Sequence, residues 1–357
     1  MIVAGSFVML ALPAVASAAR GMELALQDDK VFVSDERPGV ERGLELARRL
    51  GVTTIRSLVV WRDRPDFAAH DRLVAAAAVR GMRVQLNITG VPRWGGSNAR
   101  TDTRRPSAAG FAKFARAVAT HFRGRVHRYS IWNEPNWRTW LLPPRRSPIR
   151  YRELYRRAYA VIKGVDSRAQ VLLGELAPHQ NPPWSIGPLE FLRGMTCVHA
   201  LGRRGRGCEP LRADGIALHP YDFTHPPGWK HSNGGSVTIG TLSRLTAELR
   251  RLRRSRALTT PRGGVAPVYL TEFGYFAAGR RGLSSRTRAR RLPRAFELAL
   301  RHPGVRQMTL FGLVHSPGSK WNVGVVNKNG QPDAAFRALK RWAHRRAKAG
   351  LIARARR

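Results

Sequence analysis

Cysteine, lysine and long apolar segments are scarce in this chain of 357 residues, which has two cysteines and eight lysines. Two cysteines cannot by themselves complete the four ligands of a structural zinc site, which would need further Cys or His at short spacing, so we predict no metal site. A membrane-spanning helix needs about 20 consecutive apolar residues. The longest apolar stretch, residues 2–15, is shorter, and we therefore expect no transmembrane span in the mature chain.

The two cysteines, Cys197 and Cys208, flank a short segment rich in glycine and arginine, residues 201–207. A disulfide bond that closes this small loop would suit an exported protein, because disulfides persist in oxidising compartments. Two free thiols are the alternative that the sequence leaves open.

Acidic residues are also few, with 23 Asp and Glu against 63 Lys and Arg, and the formal net charge is +40. Such an excess attracts nucleic acids or other anionic polymers. The arginines, however, are spread through every predicted helix instead of forming one stripe, and no nucleic-acid-binding motif is present. We predict no nucleic-acid partner. Two interpretations of the charge stay open: an arginine-rich genome, and attraction to an anionic cell-envelope polymer.

The first residues have the pattern of a secretory signal peptide. The apolar stretch 2–15 is followed by Ala16, Ser17 and Ala18, a small-x-small cleavage site. We expect residues 1–18 to be removed and the protein to be secreted. No basic residue precedes Ile2, so an uncleaved apolar anchor and a start further upstream are the alternatives.

Eight strand-like segments alternate with helical segments along the chain, which predicts βα units and a parallel sheet. The segments are residues 21–27, 52–60, 82–88, 126–132, 171–176, 214–218, 268–271 and 305–313. An open doubly wound sheet usually has a glycine-rich phosphate loop after its first strand, whereas residues 27–30 read Gln-Asp-Asp-Lys. We therefore predict a closed α/β barrel, the (β/α)8 TIM barrel, over residues 19–348. A frayed basic C-terminal tail is expected at 349–357.

Two of the predicted strands end in a glutamate followed by a strand breaker. Glu134 is followed by Pro135, and Glu272 is followed two residues later by Gly274. The carboxyl ends of the strands of such a barrel form one rim, where functional residues lie. Two carboxylates that meet there are what cleavage of a glycosidic bond requires.

The segments 132–136, Trp-Asn-Glu-Pro-Asn, and 270–275, Leu-Thr-Glu-Phe-Gly-Tyr, resemble the acid/base and nucleophile motifs of glycoside hydrolase clan A. This clan contains the retaining (β/α)8-barrel glycosidases, and families 5 and 39 are the most similar. The resemblance implies that Glu134 is the general acid/base and Glu272 the nucleophile. It also implies retention through a covalent glycosyl-enzyme, without any cofactor.

The same resemblance implies roles for four other residues at predicted strand ends or within strands. Asn133 would hydrogen-bond the sugar 2-hydroxyl, and Arg56 would hold Glu272, since a buried arginine needs a carboxylate partner. His219 and Tyr221 match the pair that orients the nucleophile and touches the sugar. The alternatives are a turn asparagine, an outward-facing arginine and a histidine satisfied within the core.

Tryptophans in the predicted mouth loops are candidates for platforms under sugar rings. Trp61, Trp94 and Trp321 are predicted to bind substrate, and two further tryptophans, at 137 and 140, lie in the same kind of loop. Clan members usually have a tryptophan at the end of strand eight. Here Phe311 lies within that strand and Trp321 follows later, so the resemblance does not assign the floor of the site.

The sequence thus predicts a secreted retaining glycoside hydrolase that acts on an oligosaccharide or polysaccharide. One alternative is a transglycosylase of cell-wall or capsule glycans, which would form the same covalent intermediate but transfer it to a sugar. Another is a barrel that binds a glycan without cleaving it. The sugar, its linkage and the choice between endo and exo action are not encoded in these motifs.

Overall fold

The computed structural model describes residues 21–62, 64–90, 103–199, 203–205 and 207–355. The strands are β1 (Glu23–Gln27), β2 (Thr54–Val60), β3 (Arg83–Thr89), β4 (Arg128–Ile131), β5 (Gln170–Leu176), β6 (Leu211–Arg212), β7 (Gly215–Leu218), β8 (Leu258–Thr259), β9 (Val268–Leu270) and β10 (Val305–Phe311). Eight of them close a barrel in the order β1-β10-β9-β7-β5-β4-β3-β2, and every neighbouring pair is parallel. The predicted (β/α)8 fold is confirmed.

Helices follow the strands and cover the outside of the barrel. They are α1 (Asp29–Phe32), α2 (Val40–Arg49), α3 (Ala68–Val79), α4 (Ala108–His121), α5 (Ser147–Val165), α6 (Pro188–Thr196), α7 (Leu242–Arg254), α8 (Ser285–Arg301) and α9 (Ala334–Lys348). Three of these helices begin at a side-chain cap, in which an oxygen of Ser107, Ser284 or Asp333 accepts a backbone N–H of the first turn.

The large apolar core lies between the helices and the strands, whereas the inside of the barrel holds many polar side chains. Leu172, Ala217 and Tyr269 form a separate small apolar cluster. Gly215 makes room for the ring of Tyr269, because a Cβ at this glycine would lie 2.4 Å from that ring.

The N-terminal end of the barrel contains an ion pair between Glu23 and Arg128. The Arg128 Nη1 lies 2.8 Å from a Glu23 carboxylate oxygen and also donates to Gln307 at 2.7 Å, while Arg83 lies 2.7 Å from the other Glu23 oxygen. Burial alone would raise the pKa of Glu23, but the charges of Arg128 and Arg83 lower it from 4.5 to about 2. The ionised form of Glu23 is therefore more strongly favoured in the folded chain than in the unfolded chain.

Replacing Glu23 by glutamine is expected to lower the free energy of unfolding by about 3 kcal/mol at pH 7, which corresponds to the lowered pKa. Because the folded-state pKa is depressed, the contribution is complete above the unfolded value and is lost as the pH falls towards 2. The difference in the free energy of unfolding between Glu23→Gln and wild type, measured with urea, should be much smaller at pH 3 than at pH 7. Glu45→Gln, which removes an exposed pair with Arg48, is the control and should change stability little. An equal difference at both pH values would contradict the prediction.

The C-terminal residues differ from the predicted frayed tail. Ile352 is buried and forms a parallel bridge with Met22, beside the start of β1. Leu351 accepts a hydrogen bond from the Gly21 N–H, and the Ala353 N–H donates to Met22, each at 3.0 Å. An apolar residue inside a basic segment thus attaches the tail to the barrel.

Cys197 and Cys208 form a disulfide, with their Cα atoms 6.3 Å apart. The predicted signal peptide at 1–18 lies outside the described residues. None of the helices in the described part of the chain combines the length and the apolar character that crossing a membrane requires.

Candidate active site

Glu134 and Glu272 lie at the carboxyl ends of β4 and β9, on the same rim of the barrel. The Nδ1 of His219 lies 3.0 Å from one oxygen of Glu134 and 3.7 Å from one oxygen of Glu272. Two oxygens this close to one nitrogen cannot be more than about 7 Å apart, which permits the retaining spacing of about 5–5.5 Å between the carboxyl groups. The two glutamates are 6% and 8% exposed, so each retains a narrow opening to the solvent.

Two donors hold Glu272. The Nη1 of fully buried Arg56 lies 3.0 Å from one carboxylate oxygen, and the Tyr221 hydroxyl donates to the other at 3.2 Å. The ion pair predicted between Arg56 and Glu272 is present. Burial raises the pKa of Glu272, although the charges of His219 and Arg56 act in the opposite direction. Both donors favour the ionised form that a nucleophile needs.

His219 is fully buried, and each of its ring nitrogens faces a carboxylate. The Nδ1 lies 3.0 Å from Glu134, and the Nε2 lies 2.9 Å from Glu175. Burial alone would lower the pKa of His219, but the charge of Glu272 and the hydrogen bonds to the other two glutamates raise it to about 10. We therefore expect His219 to be an imidazolium at neutral pH, the form that can donate from both nitrogens.

Two asparagines follow β4. Asn133 is buried, and its Oδ1 lies 3.5 Å from the Nη2 of Arg56. Asn136, to which the sequence assigned no role, donates from Nδ2 to the carbonyls of Ala177 and Ile186 and accepts from the Ala177 N–H. It therefore ties the loop after β4 to the loop after β5.

Of the predicted tryptophans, Trp321 lines the cavity beside Glu134, and Trp61 is not among the described residues that line it. Trp321 is 40% exposed and contacts the rings of Tyr221 and Phe223. Trp61 lies after β2 but packs edge-on against Phe111 of α4, with ring centroids 5.6 Å apart. That Trp61 binds substrate stays a prediction. Trp94 lies outside the described residues.

A cavity of about 410 Å³ opens beside Glu134. Much of its wall is aromatic, and the aromatic lining residues are Trp137, Trp184, Tyr221, Phe223 and Trp321. Its polar wall includes His179, Asp222, His231 and Arg281. Flat rings beside hydrogen-bonding groups suit a ring-shaped ligand with one apolar face and several hydroxyls. Trp140 is not part of this wall; its carbonyl accepts a hydrogen bond from the indole N–H of Trp132.

Glu175, on β5, is a buried member of the site that the sequence did not reveal. The hydroxyls of Ser130 and Thr271, the guanidinium of Arg56 and the ring of His219 all contact its carboxylate. Residues 172–175 read Leu-Leu-Gly-Glu, an apolar run that ends in a carboxylate like the other two. This pattern could have identified Glu175, but assigning 171–176 to a strand placed it inside that strand instead of at its end.

In the described segments, no group of three or more His, Cys, Asp and Glu side chains is arranged to hold a metal ion.

No family model matches the chain, and no curated protein matches it in sequence. Many solved structures are similar in fold, and three of them illustrate the likeness. A family 39 glycoside hydrolase from Bacteroides cellulosilyticus has a TM-score of 0.68 at 17% identity, with 91% of this chain and 64% of that chain covered. A family 39 β-xylosidase from Caulobacter crescentus has a TM-score of 0.58 at 18% identity, over 91% of this chain and 72% of that one.

The third is xylanase 10B from Thermotoga petrophila, solved in complex with xylobiose, with a TM-score of 0.54 at 18% identity over 96% of this chain and 99% of that chain. The chain thus spans less than two thirds of the first of these structures and nearly all of the third. The protein has the (β/α)8 barrel fold of glycoside hydrolases of families 39 and 10, which confirms the fold that the resemblance to clan A implied.

Proposed function

We propose that this protein is a retaining glycoside hydrolase. The observation that carries the proposal is the meeting of Glu134 and Glu272, from two distant strand ends, around one nitrogen of His219 beside an aromatic cavity. Two carboxyl groups about 5–5.5 Å apart perform double displacement at a glycosidic bond, and the contacts with His219 permit that spacing.

In the proposed reaction the Glu272 carboxylate attacks the anomeric carbon, and the bond to the leaving oxygen breaks. Glu134 gives its proton to that oxygen, which leaves as an alcohol. Glu134 then takes a proton from water, the resulting hydroxide attacks the anomeric carbon, and the bond to Glu272 breaks. One Glu134 oxygen lies 3.0 Å from the Nδ1 of His219, which leaves the other oxygen to face the scissile bond.

The proposed substrate is an oligosaccharide or polysaccharide. The aromatic cavity wall supports this, since sugar rings present apolar C–H faces to flat side chains. Two of the similar structures are a β-xylosidase and a xylanase, which makes β-xylosides the first substrates to test. The disulfide supports secretion through the predicted signal peptide. Attraction of the net charge of +40 to an anionic envelope polymer belongs to the same proposal.

Hydrolysis of a panel of aryl glycosides, xylans, β-glucans, mannans and acidic glycans tests the proposal. We expect turnover of at least one member, and proton NMR of the first-formed sugar should show the anomeric configuration of the substrate. An inverted first product would contradict the mechanism. Binding without turnover would favour a glycan-binding barrel, and products that grow on addition of an acceptor sugar would favour a transglycosylase.

A further inference from the structure

Glu175 has no part in the double displacement, yet it is the most enclosed of the three carboxylates in the site. Its side chain has no exposed surface. Burial alone would raise its pKa, but the charges of Arg56 and His219 lower the pKa to about 2. Glu175 is therefore a permanent anion beneath the two carboxylates of the proposed reaction.

The backbone of β5 is shaped to aim Glu175 into the barrel. The register of β5 against β7 shifts between Leu173 and Leu176, and Glu175 has a φ of +53°. Gly174, at φ +121°, passes so close to β7 that a Cβ there would lie 2.5 Å from the Ala217 carbonyl. A non-glycine residue in the left-handed region costs free energy and is concentrated at functional sites, and a bulge re-aims a side chain.

Glu175 contacts the partners of both proposed catalytic carboxylates. Arg56 lies 3.1 Å from Glu175 and 3.0 Å from Glu272. His219 lies 2.9 Å from Glu175 and 3.0 Å from Glu134. A neutral imidazole has a single N–H, so it can donate to one of these two carboxylates but not to both.

We propose that Glu175 is a positioning residue that keeps His219 doubly protonated and fixes Arg56. His219 then holds one Glu134 oxygen, and Arg56 holds one Glu272 oxygen. The inference rests on the proposed function for its kinetic consequence, while the protonation of His219 can be measured without any substrate.

Glu175→Gln keeps the shape of the side chain but removes the negative charge and introduces an amide NH2 beside Arg56, whose guanidinium can only donate. The pKa of His219 should fall by at least about one pH unit, because an opposite charge in hydrogen-bond contact is lost. The kcat on the best aryl glycoside should fall on the order of 100-fold, since small displacements of reacting groups have effects of this size. KM should change little, because Glu175 is not part of the cavity wall.

The measurement is NMR of the full chain labelled with ¹⁵N at histidine. The signals of His219 are identified as those missing from the spectrum of His219→Gln. In wild type both ring nitrogens of His219 should stay protonated at pH 8. Glu248→Gln is the matched control: Glu248 is also buried and paired with an arginine, Arg193, but on α7 outside the barrel. That variant should leave both the His219 titration and kcat unchanged.

A wild-type His219 with a single N–H at pH 8 would overturn the proposal, and this test does not depend on whether Glu175→Gln folds. An unchanged His219 pKa and an unchanged kcat in folded Glu175→Gln would overturn it equally. Failure to cleave any glycoside, with His219 titrating as described, would overturn the proposed function instead.

Discussion

Glu272→Ala is expected to lower kcat for an aryl glycoside on the order of 10⁵-fold, because loss of a nucleophile removes the covalent route itself. The variant should still fold. Arg56, which would lose its Glu272 partner, keeps an ion pair with Glu175 at 3.1 Å, so no buried charge is left without a counter-ion.

Addition of azide should restore turnover of an activated substrate by Glu272→Ala. The small anion fills the space of the lost carboxylate and attacks the anomeric carbon from the same side. Because a single displacement has occurred, the glycosyl azide should have the configuration opposite to that of the substrate. Product NMR checks this outcome. Turnover by Glu272→Ala at more than a tenth of the wild-type rate without azide would show that Glu272 is not the nucleophile.

Glu297→Ala serves as the control for this substitution. Glu297 is also buried, but it lies on α8 and pairs with Arg301 and Arg346. Its replacement should lower the stability of the chain without a comparable effect on kcat. Comparing the two variants separates the effect of losing any buried carboxylate from the effect of losing the one at the barrel mouth.

The barrel and part of the site could be predicted from the sequence because their signals are local. Glu134 and Glu272 each follow an apolar run and precede a residue that ends a strand, so the rim position can be read from the order of residues. Arg56 is the charged residue of a strand whose other members are uncharged, and it has no exposed side-chain surface. A buried guanidinium requires a carboxylate, and the resemblance to clan A indicated Glu272 as that partner.

The features that the sequence did not reveal depend on tertiary contacts. The inward direction of Glu175 comes from a register shift in β5 and from a positive φ. Neither feature can be predicted from the regular alternation of side chains along a strand. The ring of Trp61 packs against Phe111, which lies on another element. Ile352 is held by a bridge to Met22 at the opposite end of the chain. In each case the decisive partner is distant in sequence.

Glu134→Ala should affect substrates according to how strongly their leaving group needs a proton. For a phenyl or alkyl glycoside, whose leaving oxygen is a poor anion, we expect kcat/KM to fall on the order of 10³-fold. For a dinitrophenyl glycoside, whose leaving group departs unprotonated, the fall in kcat/KM should be small. A Brønsted plot of kcat/KM against leaving-group pKa, steeper in the variant than in wild type, is the measurement. Equal losses across the series would contradict the role of Glu134 as an acid.

Azide provides the complementary test of the same residue. In Glu134→Ala the nucleophile Glu272 is intact, so the glycosyl-enzyme forms and azide attacks it in place of activated water, giving an azide with the configuration of the substrate. Glu272→Ala should give the opposite configuration. Both glutamates contact the same Nδ1 of His219, so their burial and hydrogen bonding alone do not distinguish the two roles. The configurations of the two azide products do distinguish them. If Glu134→Ala gave the inverted azide and Glu272→Ala the retained one, the nucleophile would be Glu134.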